Sequence, residues 1–192
     1  MIGTLDQQND ILLVHDHSKL DEILEQLFDA LGRGDRRQTF LKLDHFWAGL
    51  AVHIRAEHLV LFRALLQSSG NSKSKGGVAD VVSRLPDNIY TLRHDHDFFV
   101  KEIGKDVNLL RVDEKEKRKN VDLGEIHKDL VIIAGRLEVH NALEEADVYP
   151  LAQALFTAKE VADLEVSMSR ELAKLPPRFG NIRLPLKENI DG

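Results

Sequence analysis

Two long predicted helices of this chain each carry a histidine and a glutamate where the helical pattern requires apolar core residues. In the first of these helices, spacings of four and three residues define one inward stripe, at positions 46, 50, 53, 57, 60 and 64. His53 and Glu57 occupy the middle of that stripe. An ionised side chain buried without a partner costs several kcal/mol, so any fold of this chain has to provide partners for both residues.

The same pattern occurs a second time along the chain. A later helix has His140 and Glu144 at the same spacing, and its stripe continues to Asp147 and Leu151. Two other predicted helices each place one histidine on the inward stripe, His17 and His96, and a His-Asp-His tripeptide ends at both of them. The resulting order, H…HxxxE…H…HxxxE, looks like the duplication of a pair of helices.

Long stretches without proline or glycine predict an all-α protein. We expect four main helices and a fifth near the C-terminus, at about 6–31, 35–68, 86–112, 121–156 and 157–175. Asp35 is the expected N-cap of the second helix, and Thr157 and Glu160 have the form of a capping box. Short connections indicate an antiparallel up-down four-helix bundle over residues 1–156. The helix and extended tail of 157–192 would pack on the bundle or on a partner.

Several segments are expected to interrupt these helices. The segment 68–77 is rich in serine, glycine and lysine and has the composition of a flexible linker. After a short helical piece at 78–85, Pro86 is placed in the first turn of the third helix. The charge run 113–119 is expected to be a loop or a frayed helix end. Pro150 is expected to kink the fourth helix or end it early.

Composition excludes several classes of chemistry. The chain has 192 residues and no cysteine, which removes disulfides, thiolate zinc sites, iron–sulfur clusters and cysteine nucleophiles. Its formal net charge of −6 at pH 7, without an evident basic cluster, argues against nucleic acid as a partner. With no signal-like start and no long apolar window, we expect a soluble, cytoplasmic protein without a membrane partner. The strong metal ligands that remain are carboxylates and nine histidines.

The doubled motif has the form of a site for two metal ions. Residues four apart lie one above the other on a helix face, so each HxxxE presents an imidazole and a carboxylate to one inward spot. Four imidazoles and two carboxylates suit two divalent ions, with the carboxylates bridging, a hydroxide or oxide between the ions and open positions for another ligand. Zinc and manganese accept the same ligands as iron. A buried His–Glu hydrogen-bond network is the alternative without metal.

At these residues the sequence resembles the hemerythrin-like, or HHE cation-binding, family over about residues 8–156. The resemblance implies a four-helix bundle with a non-haem di-iron centre of two iron ions and a bridging oxo or hydroxo group. By the match, the two glutamates would bridge the irons. The implied iron ligands are His17, His53, Glu57, His96, His140 and Glu144.

The resemblance also bears on function. Oxygen-carrying members have a further histidine one turn after the third-helix ligand, where this chain has Val100. The four-His, two-Glu set is more similar to the domain of bacterial iron-centre repair proteins, which respond to NO and peroxide stress. Those proteins carry a cysteine-bearing N-terminal segment, whereas this chain has no cysteine.

We therefore expect a di-iron binding protein that binds or senses O2, NO or peroxide, or handles iron. One alternative is a di-iron enzyme, an oxidase, peroxidase or NO reductase, or a repair protein in nitrosative or oxidative stress. Another is an interaction module regulated by iron. The expected partner is a diatomic molecule or peroxide, and a homodimer is compatible with the sequence. Near the motif, Tyr149 is expected to pack in the bundle, and a role at the site as a hydrogen-bond donor or redox-active group is the alternative. His58 and Glu145 are interpreted chiefly as helix-interface residues, with support of the ligands as the alternative.

Overall fold

The computed structural model describes residues 12–69, 78–116 and 121–174, and all regular structure in these residues is helical. The all-α prediction is therefore confirmed for them. The predicted helix start at 6–11, most of the linker, residues 117–120 and the tail from 175 lie outside the described residues. The helical segments are α1 (Leu12–Gly32), α2 (Arg36–Ala56, then Glu57–Leu61 and Phe62–Ser69), α3 (Val78–Glu116), α4 (Leu123–Leu143, then Glu144–Val148 and Tyr149–Leu155) and α5 (Ala158–Leu172).

Polar side chains fix the starts of α2 and α5. The Asp35 carboxylate accepts a hydrogen bond from the backbone N–H of Gln38 at 3.0 Å, which confirms it as the N-cap of α2. Gly34 just before it adopts a positive φ of 66°, a conformation that favours glycine in this turn. At the start of α5 both bonds of the capping box are present between Thr157 and Glu160.

One predicted interruption is wrong. Pro86 lies inside α3 instead of opening a helix, because Leu85 and Ile89 on either side of it are both buried and hold the two parts in one helix. One missing backbone hydrogen bond is a smaller loss than the apolar burial. The charge run 113–119 was expected to be a loop or a frayed helix end; α3 continues into it through Glu116, and residues 117–120 lie outside the described residues.

The helices pack around two apolar clusters. One contains Phe40, Phe46 and Phe99, and the other contains Leu61, Leu85 and Met168. Each of the four motif histidines lies in sequence between a residue of one cluster and a residue of the other, as His96 does between Leu92 and Phe99. The histidines therefore mark a polar layer between two apolar ones.

Helices α2 and α4 each contain one π-helical turn, Glu57–Leu61 and Glu144–Val148. The backbone N–H of the residue after each turn donates a hydrogen bond to the carbonyl of the glutamate five residues earlier, where an α-helix would use the carbonyl four residues earlier. The turn therefore contains one residue more than an α-helical turn. Pro150 comes soon after the second turn, and α4 continues past it to Leu155, so the predicted early end of this helix is wrong. The first turn has Arg63 at the equivalent place, so proline is not the cause of these turns.

The π turns shift the inward stripe by one residue. The sequence pattern predicted Val60 and Ala64 as inward, but both are only half-buried, whereas Leu61 and Leu65 are fully buried. In α4, Asp147 is half-buried in the same way. It lies 3.5 Å from Arg84 of α3 and is no part of the ligand cluster.

Helix α5 covers the outside of α2. Its Met168 side chain is 1% exposed and belongs to the second apolar cluster. Arg55 of α2 forms an ion pair of 2.9 Å with Glu171 of α5. The division of the chain at residue 156 stays a prediction. Within the described residues, no helix is long and apolar enough to cross a membrane.

One buried carboxyl at the end of α3 distant from the histidines gives a stability prediction. Asp106 is 0% exposed, and neither carboxylate oxygen has a hydrogen-bond partner. Burial, with a smaller contribution from Asp129 and Glu102 against Lys105, raises its pKa to about 7. Between about pH 4 and pH 7 the unfolded chain releases this proton while the folded chain keeps it, so stability falls as the pH rises through this window.

Asp106→Asn removes that titration. The free energy of unfolding of the variant, relative to the natural chain, should rise by about 4 kcal/mol between pH 4 and pH 8 and stay constant above it. Urea unfolding at several pH values measures the difference, with Asp87→Asn as a control on the exposed face of the same helix. Parallel profiles for Asp106→Asn and the natural chain would show that Asp106 ionises normally in the fold.

Candidate metal centre

Four histidines, one from each of α1 to α4, point their Nε2 atoms inward in two pairs. The Nε2 atoms of His17 and His53 are 3.1 Å apart, and those of His96 and His140 are 3.0 Å apart. All four side chains are buried. We call the first pair site A and the second pair site B.

Each of the two glutamates divides its oxygens between the sites. For Glu57, Oε1 lies 3.6 Å from His53 Nε2 in site A, and Oε2 lies 3.1 Å from His96 Nε2 in site B. For Glu144, Oε2 lies 3.3 Å from His17 Nε2 and Oε1 lies 3.2 Å from His140 Nε2. This is the arrangement of two carboxylates that bridge neighbouring ions.

The six side chains therefore form two overlapping ligand groups. Ligand atoms of Glu57, His96, His140 and Glu144 lie within 4.8 Å of one another, as do those of His17, His53 and Glu144. The structure thus brings together all six residues that the sequence singled out. The i,i+4 spacing places imidazole and carboxylate on one helix face, and the following π turn begins at the glutamate in both helices.

The buried glutamates dominate the electrostatics of the layer. Burial opposes charge on Glu57, but His53 and His96 outweigh it and hold its pKa well below the usual range. Burial likewise opposes charge on His53, yet Glu57, Asp16 and Glu144 raise its pKa to about 10. Two fully buried carboxylates thus require positive charge close by.

Tyr149 brings a hydroxyl group to site A. Its Oη lies 2.8 Å from Glu57 Oε1, 3.0 Å from Glu144 Oε2 and 3.2 Å from His17 Nε2. Burial, followed by the charges of Glu57 and Glu144, raises the pKa of the phenol well above its ordinary value, so the hydroxyl keeps its proton. The prediction that this tyrosine packs in the bundle is confirmed, and its hydroxyl reaches the site as the alternative expected.

The donor set fits a pair of cations. Glu57 Oε2 and Glu144 Oε1 are buried and receive no hydrogen bond from the part of the chain that the structure describes, although both face site B. The single Tyr149 proton can serve only one of the two carboxylate oxygens that it contacts. When two imidazole nitrogens lie about 3 Å apart, they cannot both be hydrogen-bond acceptors, because an acceptor needs a donor opposite it. Metal ions that accept electron pairs from all of these atoms would satisfy them at once.

Each of the four motif histidines has a partner at its outer ring nitrogen, Nδ1. Glu145 contacts His17 at 2.8 Å, and Asp16 contacts His53 at 3.1 Å. In site B, His58 contacts His96 at 2.8 Å and Asp95 contacts His140 at 3.3 Å. Such partners fix the orientation of a ligand ring and the nitrogen that carries its proton.

His58 and Glu145 were interpreted chiefly as helix-interface residues. Each one contacts a motif histidine of a neighbouring helix, as the alternative interpretation expected. Sequence reasoning missed Asp16 and Asp95 altogether. The available signal was the His-Asp-His tripeptide that precedes both lone histidines. The aspartate in its middle reaches across to the histidine of the neighbouring helix.

Val100, the position at which oxygen carriers have a fifth histidine, is 42% exposed. The inward position on this turn belongs to Phe99, whose ring centroid is 5.3 Å from that of His140. Phe99 therefore closes site B with an apolar ring.

A cavity of about 410 Å³ between α1 and α4 reaches the outer side of site A. His17 and Glu145 line its inner part, together with Asp21 and Glu138. Burial raises the pKa of Asp21, with His17 acting against it.

A model of the hemerythrin HHE cation binding domain matches residues 10–152 of the chain. The chain therefore belongs to the hemerythrin family, and this membership implies that it binds non-haem iron. Searches of curated proteins and of solved structures found no match.

Proposed function

We propose that the polar layer holds two iron ions and that the protein uses them to bind or sense a small ligand such as O2, NO or peroxide. The observation that carries the proposal is the division of Glu57 and Glu144 between the sites, since each carboxylate faces one histidine pair with each oxygen. The proposed ligands are His17 and His53 for site A, His96 and His140 for site B, and both glutamates for the two together.

The architecture that supports this site is, in our proposal, an antiparallel up-down four-helix bundle of α1 to α4 with α5 added outside. Contacts of α1 with α2, of α2 with α3 and of α3 with α4 support that order. It would place one histidine from every helix in the same layer.

The residues of the layer perform three tasks in this proposal. The outer partners orient the imidazoles, the two carboxylates set the spacing of the ions, and the two apolar clusters exclude water from both sides. Iron would supply reversible binding of a small ligand at its open coordination positions. Tyr149 holds a proton at Oη beside site A, where it can donate a hydrogen bond to such a ligand.

This hydroxyl also favours a second candidate function, a di-iron enzyme that reduces peroxide or NO. A buried proton donor within reach of one site is useful in a reaction that consumes protons. Turnover of H2O2 or NO beyond one equivalent per site would favour the enzyme, and a single equivalent would favour a carrier or sensor.

Metal analysis tests the proposal directly. The full chain, incubated with Fe(II) without oxygen and freed of excess metal, should retain about two iron ions per chain and develop a new near-ultraviolet absorption band on exposure to O2. His53→Ala should lose the site A ion, so that about one iron remains.

The matched control is His45→Ala, which removes an exposed histidine from the same helix. It should retain the iron content and the spectrum of the natural chain. Failure of the natural chain to bind iron, or binding of zinc at one site in its place, would contradict the proposal.

A further inference from the structure

The two halves of the centre have similar inner ligands but differ in the charge that lies behind them. In site A, the outer partners of both histidines are carboxylates, Glu145 and Asp16. Among the described residues, neither of these carboxylates has an ion pair with lysine or arginine. The two groups therefore place two negative charges behind site A.

In site B the same two positions carry no net charge. His58 stands in the first half of the motif, directly after Glu57, where the second half has Glu145, and an imidazole carries no negative charge. Asp95 is negative, but Arg136 of α4 binds it through Nε at 2.7 Å. The positive charge of Arg136 offsets the negative charge of Asp95.

The arginine exists in only one half of the duplication. Arg136 precedes His140 by four residues, and the residue that precedes His53 by four is Gly49. A Cβ atom at Gly49 would lie only 2.9 Å from Cδ2 of Leu20, so close packing of α1 on α2 excludes a larger side chain there without a shift of Leu20. Asp16 therefore faces a glycine position where Asp95 has its arginine partner.

From this asymmetry we propose that site A is the tighter of the two metal sites and is filled first. The inference rests on the proposed function, since it requires two ions in this layer. A carboxylate behind an imidazole ligand raises the basicity of that ligand, and its charge attracts the cation directly. In site A a carboxylate lies behind both histidines, so both gain basicity and both carboxylates attract the cation. In site B both effects are weaker, because His58 is neutral and Arg136 offsets the charge of Asp95. Asp21 and Glu138 in the adjacent cavity add negative charge on the same side.

Titration of the full chain with Co(II) alone tests this order, because histidine and carboxylate sites bind this ion and its absorption reports the ligand geometry. The natural chain should show two binding steps of different affinity. His17→Ala should remove the tighter step, and His96→Ala should remove the weaker one. Equal steps in the natural chain, or loss of the tighter step in His96→Ala, would overturn the proposal.

Two independent substitutions should then strengthen site B. Arg136→Met removes the offsetting cation, and His58→Glu gives site B the residue that the other half already uses to reach a ligand histidine. Each should raise the affinity of the weaker step by about tenfold or more and leave the tighter step unchanged. Arg136→Lys, which keeps the charge, should stay close to the natural chain.

Lys101→Met is the matched control, because it makes the same change in net charge at an 81% exposed side chain of α3. If Arg136→Met and His58→Glu raise the second affinity no more than Lys101→Met does, the outer charges do not set the order and the proposal fails. A natural chain that binds no cobalt would contradict the proposed function as well. Two equal cobalt steps would contradict the filling order alone.

Discussion

Substitution of Glu57 by alanine should remove both metal ions from the protein, whereas substitution of a single ligand histidine should remove one. The reason is that Glu57 faces His53 with one oxygen and His96 with the other, so its loss takes a ligand from each site. It also removes one of the two negative charges that hold two cations in a buried layer. Bound iron should fall from about two ions per chain toward none.

Metal content after gel filtration measures this loss. Glu22→Ala, on the exposed face of α1, is the control for removal of a carboxylate and should keep the natural metal content. Far-ultraviolet circular dichroism shows whether Glu57→Ala remains helical, and Glu57→Gln supplies a variant of the same shape without the charge. Retention of one full ion in both Glu57 variants would mean that this carboxylate serves one site only.

Substitution of Leu61 by alanine should cost about 3 kcal/mol of folding free energy, which corresponds to about 6–12 °C in Tm for a chain of this size. Leu61 is fully buried only because the π turn at Glu57–Leu61 moves it inward. In an uninterrupted α-helix Val60 would be the buried residue, so Val60→Ala would cause the larger loss of folding free energy.

Leu59 supplies the matched control, since it is a leucine of the same turn and 53% exposed. Leu59→Ala should change the free energy of unfolding by no more than about 0.5 kcal/mol. Urea unfolding of the three alanine variants decides between the two registers. A larger loss for Val60→Ala than for Leu61→Ala would show that α2 has no π turn in solution.

The six proposed ligands could be predicted from the sequence because their signal is local. His53 and Glu57 interrupt an apolar stripe at a spacing of four, and His140 and Glu144 repeat it, so each pair can be read within one helix. Their convergence in one layer then follows from packing of the four stripes. That these residues hold metal stays a prediction.

The outer partners could not be predicted in the same way. His58 and His96 are 38 residues apart, and their contact depends on how closely α2 and α3 approach at one level of the fold. Helical spacing places His58 beside the inward stripe, and at such a position the sequence does not distinguish a residue that packs between helices from one that supports a ligand. Only the position of the neighbouring helix distinguishes the two.

The π turns escaped prediction because the residues Glu-His-Leu-Val-Leu of the first turn form an ordinary α-helix equally well. A signal was nevertheless present, since the regular stripe in α4 would bury Asp147, while Val148 and Tyr149 directly after it are large and apolar. A charged residue at an expected core position, followed at once by apolar ones, indicates that the helix contains an extra residue.

The two π turns also carry information about the history of the chain. A helix acquires such a turn when one residue is inserted and the segments on both sides keep their packing. Both turns begin at the equivalent glutamate, although the residues that follow differ, Glu-His-Leu-Val-Leu in one and Glu-Glu-Ala-Asp-Val in the other. The simplest order of events is a single insertion in an ancestral pair of helices, copied when that pair was duplicated. Asymmetries such as Arg136 opposite Gly49 then arose after the copy, when the two halves were free to diverge.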